Sequence, residues 1–275
     1  MIFRSYKPSL LLDSYIEVIH LRHFVFPPHV ITPFKPYPPR PEHCLAFYVK
    51  GFETTEYPFE NRKEKRARST LSGQFLQQIN RHVSHEFLMI LVVFKPGALY
   101  RFTGIPFREF TNTAIDAEAI FGKEITSLNE RLNSVEAYHE MIIFVNDFLV
   151  KQLNKIRKVI LPVDEAIQWL LNNPNPLSVQ QLSYYSCLSG RQLERTFLER
   201  MGVPPKTFLK IARFNRSYNL HLRKPNINWS TIATVCGYTD YQHLVKDYRA
   251  FTGSTAAKFF ETEENAPERL LGLAR

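Results

Sequence analysis

Between residues 179 and 253 the chain repeats itself, and the repeat limits what this part can fold into. Val179, Leu182, Tyr185 and Leu188 are followed, across a polar turn, by Leu193, Phe197 and Gly202. Trp229, Ile232, Val235 and Tyr238 match the first four at an offset of 50, and Leu244, Tyr248 and Gly253 match the rest at an offset of 51. One residue has been added in the second turn. Apolar side chains at this spacing predict helices, so each copy reads as a helix, a tight turn and a second helix whose inner face docks on the first.

Such a unit leaves the early outer face of its second helix free. A helix-turn-helix presents that face to the base edges of DNA. In the first copy the outer positions are Arg191, Gln192, Glu194 and Arg195, after a cap at Ser189. In the second they are Tyr241, Gln242, His243 and Lys246, after a cap at Thr239/Asp240. Arg and Lys suit guanine O6 and N7, Gln suits adenine, and Glu accepts from cytosine N4. One polar helix face is an ordinary solvated surface. Two in register are a different matter, and the charge distribution adds to them. Residues 1–150 hold 17 Lys/Arg against 16 Asp/Glu, a balance of +1, whereas residues 151–260 hold 16 against 6, a balance of +10. Residues 261–275 hold 2 against 4, a balance of −2. An excess confined to one segment predicts an anionic partner, with nucleic acid the first candidate.

The stretch joining the copies, "PPKTFLKIARFNRSYNLHLR" (204–223), starts with prolines suited to a helix N-terminus. At 1.5 Å per residue it spans about 30 Å. Successive major grooves on one face of B-DNA lie about 34 Å apart, so a rigid helix of this length sets two reading heads roughly one turn apart. Lys206, Lys210, Arg213, Arg216, Arg223 and Lys224 decorate it.

Residues 160–260 resemble the DNA-binding domain of the AraC/XylS family of bacterial transcription regulators, through "LSVQQLSYYSCLSGRQLERTFLERMGVPPKTFL" and "INWSTIATVCGYTDYQHLVKDYRAFTG". The resemblance implies a reader of promoter DNA with two motifs, using Arg191, Glu194 and Arg195, then Tyr241, Gln242, His243 and Lys246. As a whole the chain is expected to be a cytoplasmic activator whose partners are double-stranded promoter DNA, RNA polymerase, a small-molecule effector and a second copy of the chain. Three positions depart from the family pattern. Cys187 stands where the first turn usually has Gly, which predicts a distorted turn. Asp247 replaces a small neutral residue, which predicts a negative charge near DNA. Ala256 replaces the Pro after the second motif.

The fold class expected is α+β. A β-rich domain with C-terminal helices (1–155) precedes an all-α domain of two helix-turn-helix motifs joined by a long helix (160–262) and a tail (263–275). Before about residue 115 the chain alternates short apolar runs such as "CLAFYVKGF" (44–52) and "EFLMILVVFKPG" (86–97) with turn-rich stretches, the pattern of an all-β domain. Residues 116–132 read as two short helices broken at Gly122, and 134–153 as a helix opened by a Ser134 cap region. Met141, Ile142, Ile143, Phe144, Val145, Phe148, Leu149 and Val150 are more apolar residues than one face needs. Exposed apolar patches are rare on monomers, so this helix is the expected dimer contact.

In this family the N-terminal domain is often a cupin-like sensor or dimerisation module, and residues 1–155 are compatible with that. His20, His23, His29, His43, His82 and His85 raise the alternative of a metal-binding cupin enzyme. A metal needs about three convergent ligands, and no His-x-His pair occurs, so no metal or cofactor is expected. The basic "NRKEKRAR" (61–68) reads as an exposed hairpin tip. Cys44, Cys187 and Cys236 are scattered and odd in number, which suits a reducing compartment and offers no recognisable nucleophile setting for a repair enzyme. An architectural binder would need no base-reading faces. The longest apolar run, "FLMILVVF" (87–94), is too short to span a bilayer, and the N-terminus lacks a signal-peptide layout. The expected protein is not an enzyme.

Overall fold

A computed structural model describes residues 1–156, 158–173 and 178–273. Two antiparallel sheets carry the N-terminal part. The larger has the order β1 (Ile2–Tyr6), β2 (Ile16–Val25), β9 (Glu86–Phe94), β4 (His43–Lys50), β7 (Ser69–Ser72) and β10 (Ala114–Asp116). The smaller runs β3 (Lys35–Tyr37), β8 (Ile79–Val83), β5 (Glu53–Tyr57) and β6 (Arg62–Lys65).

Side chains alternate across a strand, and the large sheet is covered on both faces. Ile19 and Leu21 of β2, Leu45 and Phe47 of β4, and Leu88, Ile90 and Val92 of β9 point to one side. There they meet Ile125 and Leu128 of α3 (Lys123–Ser134) and Met141, Val145 and Phe148 of α4 (Tyr138–Leu153). The intervening residues, among them His20, Arg22, Phe87 and Met89, face the smaller sheet. This double covering explains why β9 is apolar almost throughout.

Two short helices do break at Gly122: α2 (Glu118–Phe121) ends there and α3 begins one residue later. Ser134 closes α3 rather than capping α4, whose N-cap is Ala137. The stretch read as all-β also contains α1 (Ala98–Thr103) and two 3-10 turns, Leu10–Leu12 and Phe107–Phe110. Most of the apolar surplus on α4 is used inside its own domain: Met141, Ile142, Val145, Phe148 and Leu149 are buried. Phe144 lies under the Arg131 guanidinium, 3.8 Å from its ring centroid. Ile143, 51% exposed, faces outward.

The C-terminal part opens with α5 (Pro162–Asn172). The first repeat forms α6 (Val179–Tyr185) and α7 (Gly190–Met201), the connector forms α8 (Pro205–Arg223), and the second repeat forms α9 (Trp229–Val235) and α10 (Tyr241–Thr252). α11 (Ala256–Glu263) and α12 (Pro267–Leu270) follow, with Ala256 at the first helical position, where the family's Pro would also fit. Leu182, Leu193 and Phe197 are fully buried in the first copy, as are Ile232, Leu244 and Tyr248 in the second. Val179, Tyr185 and Val235, expected on the inner faces, are exposed at the ends of their short helices. Among the described residues no helix is long and apolar enough to cross a membrane, and no group of three or more His, Cys, Asp or Glu is placed to hold a metal ion.

Candidate DNA interface and the cavity behind it

The second helix of each motif starts from a side-chain cap. Ser189 Oγ accepts from the Gln192 amide, and the Gln192 side-chain oxygen accepts from the Ser189 amide at 2.9 Å, a reciprocal capping box. In the second motif Asp240 Oδ1 accepts from the His243 amide at 2.9 Å. That backbone bond, with the His243 ring beside it, holds the Asp240 carboxyl below the usual carboxylate range. Beyond these caps Arg191, Gln192, Glu194, Arg195, Tyr241, Gln242, His243 and Lys246 are all exposed. Three pairs occupy equivalent places in the two motifs, Arg191 with Gln242, Gln192 with His243 and Arg195 with Lys246, while Glu194 matches Val245 and Tyr241 matches Gly190. Gln192 and His243 also have partners within their own helix start, so their capping role stands beside any contact with DNA.

The two turns share one backbone shape. Cys187 has φ 52° and Gly237, its counterpart, φ 79°. The next amide closes the same five-residue step in each: Leu188 N–H donates to Ser183 O at 3.1 Å and Tyr238 N–H to Ala233 O at 2.9 Å. The expected distortion at Cys187 is therefore absent, and the side chain takes up the left-handed conformation instead. The expected charge near DNA is also corrected. Asp247 is buried and turned inward, paired with Lys210 at 3.2 Å and Arg213 at 3.0 Å on α8. Those two cations, and Arg216, which donates to the Asn173 carbonyl at 2.8 Å, hold the helices of the domain together.

The N-terminal part grips both motifs at the far ends of their second helices. Gly202 ends α7 with φ 78° and its carbonyl accepts from Thr111 Oγ1 at 2.7 Å; a Cβ there would lie 2.7 Å from the Phe107 carbonyl oxygen, so only glycine fits. His43 stacks on Phe107 with centroids 4.1 Å apart, and its Nε2 lies 3.3 Å from the Met201 carbonyl. Burial pushes the His43 pKa down to about 4 against that hydrogen bond, so the ring is neutral and Nε2–H donates. At the second motif the Gln78 amide donates to Phe251 O at 2.7 Å, and Phe59 of the β5–β6 turn packs against Gly253. In that hairpin Arg62 pairs with Glu60 and Glu64, and Lys63 with Glu56, so its positive charge is largely matched on the spot.

Between the sheets lies a cavity of about 270 Å³ that the motif-based reading did not find. Phe24, Phe87, Met89 and Leu91 give it apolar lining, Arg22, Lys35, Arg40 and Arg81 cationic lining, and Tyr218 and Leu222 of α8 border it as well. Burial, then the charges of Arg22 and Arg40, lower the His20 pKa to about 4. Burial likewise draws Arg22 down to about 10, opposed by Glu268. Burial also opposes the charge on Arg81, but Glu53 at 2.5 Å outweighs it and holds the guanidinium above its ordinary range. Three of the cavity's cations come one to a strand, Arg22 from β2, Lys35 from β3 and Arg81 from β8, so no single stretch of the sequence announces the site. His20 is held by Ser5, His23 by Tyr138 and His82 by Glu56, which disperses the histidines over the domain.

Two motifs of this geometry define a double helix-turn-helix domain. Residues 182–262 match the family described as a helix-turn-helix domain, and residues 4–116 match a family described as a domain of unknown function. The chain is 30% identical over 82 residues to the HTH-type transcriptional regulator GbdR of Pseudomonas aeruginosa, covering 30% of this chain and 22% of that one. It is 30% identical over 84 residues to the HTH-type transcriptional regulator ArgR of the same organism, covering 30% and 25%. The match thus spans about a quarter or less of these relatives. Among solved structures, ToxT from Vibrio cholerae aligns over 89% of this chain and 98% of its own at 11% identity, with a TM-score of 0.49. The DNA-binding domain of AdpA, solved with a target DNA, aligns over 38% and 95% at 22% identity, with a TM-score of 0.36. The C-terminal region of the present chain is a helix-turn-helix domain of the AraC type.

Proposed function

We propose that this protein is a sequence-specific transcription regulator. Residues 160–262 read promoter DNA through the first turns of α7 and α10, beside RNA polymerase, and residues 1–155 control that domain through an effector in the cavity. The observation that carries this reading is the exposure of all eight side chains on the first turns of two capped helices, three pairs of them at matching places. The reading assigns the chain no catalytic step and places it in the cytoplasm. We assign pairing with a second copy to the face where Leu10, 95% exposed, Leu11, 69% exposed, and Ile143 of α4 meet solvent. The 3-10 turn and α4 are joined there by the Ser9 amide donating to Asn146 Oδ1 at 2.9 Å. Light scattering on the full chain and on Leu10→Glu tests this face: a wild type that is monomeric at micromolar concentration removes it.

Base reading is tested with an operator selected from random-sequence DNA. Arg195→Ala and Lys246→Ala should each weaken operator binding more than binding to a scrambled fragment, by about 1–3 kcal/mol of discrimination. Equal losses on both DNAs would mean that these side chains meet only phosphate.

A further inference from the structure

The segment after α11 does not leave the molecule. Ala266 is fully buried, Pro267 and Glu268 are buried, and the Leu273 amide donates to the Glu268 carbonyl at 2.9 Å, curling the chain back. Leu271 and Leu273 pack against Phe24, Phe26, Val83, Phe87 and Met89 of the β-domain. Glu268 lies 2.5 Å from Lys35 Nζ and is also the main group supporting the charge of Arg22. Glu263, at the end of α11, shares Lys35 and accepts from Tyr218 at 3.0 Å. The chain therefore lays a carboxylate and two leucines over one edge of the cavity, the first on its cationic lining and the others on the apolar cluster beside it.

The arrangement is incomplete. Glu263 Oε2 and Arg40 Nε are buried without a hydrogen-bond partner, although buried polar groups are almost always paired. The cavity beside them is still lined by Pro267, Glu268 and Arg269.

We propose that Ala266–Leu273 is a displaceable occupant built into this cavity, and that the effector displacing it is an amphiphilic carboxylate. This rests on the cavity being the control site proposed above. The anionic head would take Lys35, Arg22 and Arg40, and the apolar body would lie on Phe24, Phe87, Met89 and Leu222. A third carboxylate cannot join Glu263 and Glu268 at one lysine without strong repulsion, because like charges in a partly desolvated site oppose each other. Binding therefore expels the tail, which as a tethered group competes at an effective concentration on the order of millimolar. Glu263 leads directly to the second reading head: it bonds Tyr218 of the connector, and its helix places Phe259 and Phe260 in the core shared with Leu244 and Tyr248.

Calorimetric titration of the full chain with decanoate, without DNA, tests the proposal. Glu268→Gln combined with Leu273→Ser should bind decanoate on the order of tenfold more tightly than wild type, an ordinary size for coupling between competing groups. Lys35→Ala should weaken it, and decanol and acetate, each with half of the required chemistry, should bind far less well than decanoate. A double variant that binds no more tightly than wild type, or decanoate failing to bind any form, overturns the proposal. Hydrogen exchange on the unmodified chain gives a second reading that needs no mutation. Decanoate should speed exchange of the amides of 268–273, and unchanged or slower exchange overturns the proposal too. Neither measurement involves DNA, so failure of the operator experiment and failure of this one are separate events.

Discussion

Cys187 holds a left-handed backbone that its partner Gly237 holds without a Cβ. For an L-residue that region costs roughly 1–2 kcal/mol. Cys187 is exposed, so little packing is lost on removing its side chain. Cys187→Gly should therefore raise the free energy of unfolding by about 1 kcal/mol in urea titrations. A variant that unfolds earlier would show that the thiol makes contacts outweighing its backbone cost. At this scale the outward positions were legible because the repeat carries its own register: fixing Leu193 and Leu244 inward fixes Arg195 and Lys246 outward. Asp247 was not legible in the same way. Its partner Arg213 lies 34 residues earlier on another helix, and nothing in the motif itself says which way a carboxylate at that place turns.

Elements were legible where one periodicity ran long enough. The 19 residues of α8 and the 12 of α10 lie where the pattern put them, while α1, of six residues, was lost among strands. The apolar surplus of α4 was visible, but not its destination, because burial against the large sheet depends on strand pairings distant in sequence. The same holds for the cavity, which exists only once β2, β3 and β9 are brought together. His43, at the start of β4, seals the join between the domains, and its titration makes that join sensitive to acid. Burial lowers its folded pKa to about 4 from an ordinary value of 6.5. The unfolded chain therefore binds more protons between those values, and stability falls as pH drops through that window, with no further loss below it. Unfolding free energies at pH 7.5 and pH 5 should differ by about 2 kcal/mol more in wild type than in His43→Gln. The amide of Gln can still donate to the Met201 carbonyl but does not titrate. An identical pH dependence in both would clear His43 of this role.

The whole molecule is a basic helix-turn-helix domain held at both motifs by a nearly neutral partner domain, and its charge sets how it must meet DNA. The balance of +10 in residues 151–260 is not all available for phosphate. Lys210 and Arg213 are committed to Asp247, Arg200 is buried against Asp164 at 2.5 Å, and Arg216 bonds backbone carbonyls. Exposed cations remain on and around α7, α10 and the connector: Arg191, Arg195, Lys206, Arg223, Lys224, Lys246, Arg249 and Lys258. With some of these reading bases or pointing away, about six phosphate contacts is a fair count, the low end of the usual range of about 6–10. At a slope of about −0.9 per contact, six contacts correspond to a loss of about 10³-fold in affinity between 50 and 200 mM salt. Lys206→Ala should weaken binding to operator and scrambled DNA alike and reduce the slope by about one if it meets phosphate. A loss near 10⁵-fold would require that the inward-facing pairs open on DNA and lend their cations to the backbone. A nearly flat dependence would rule out DNA as the main partner of the basic domain.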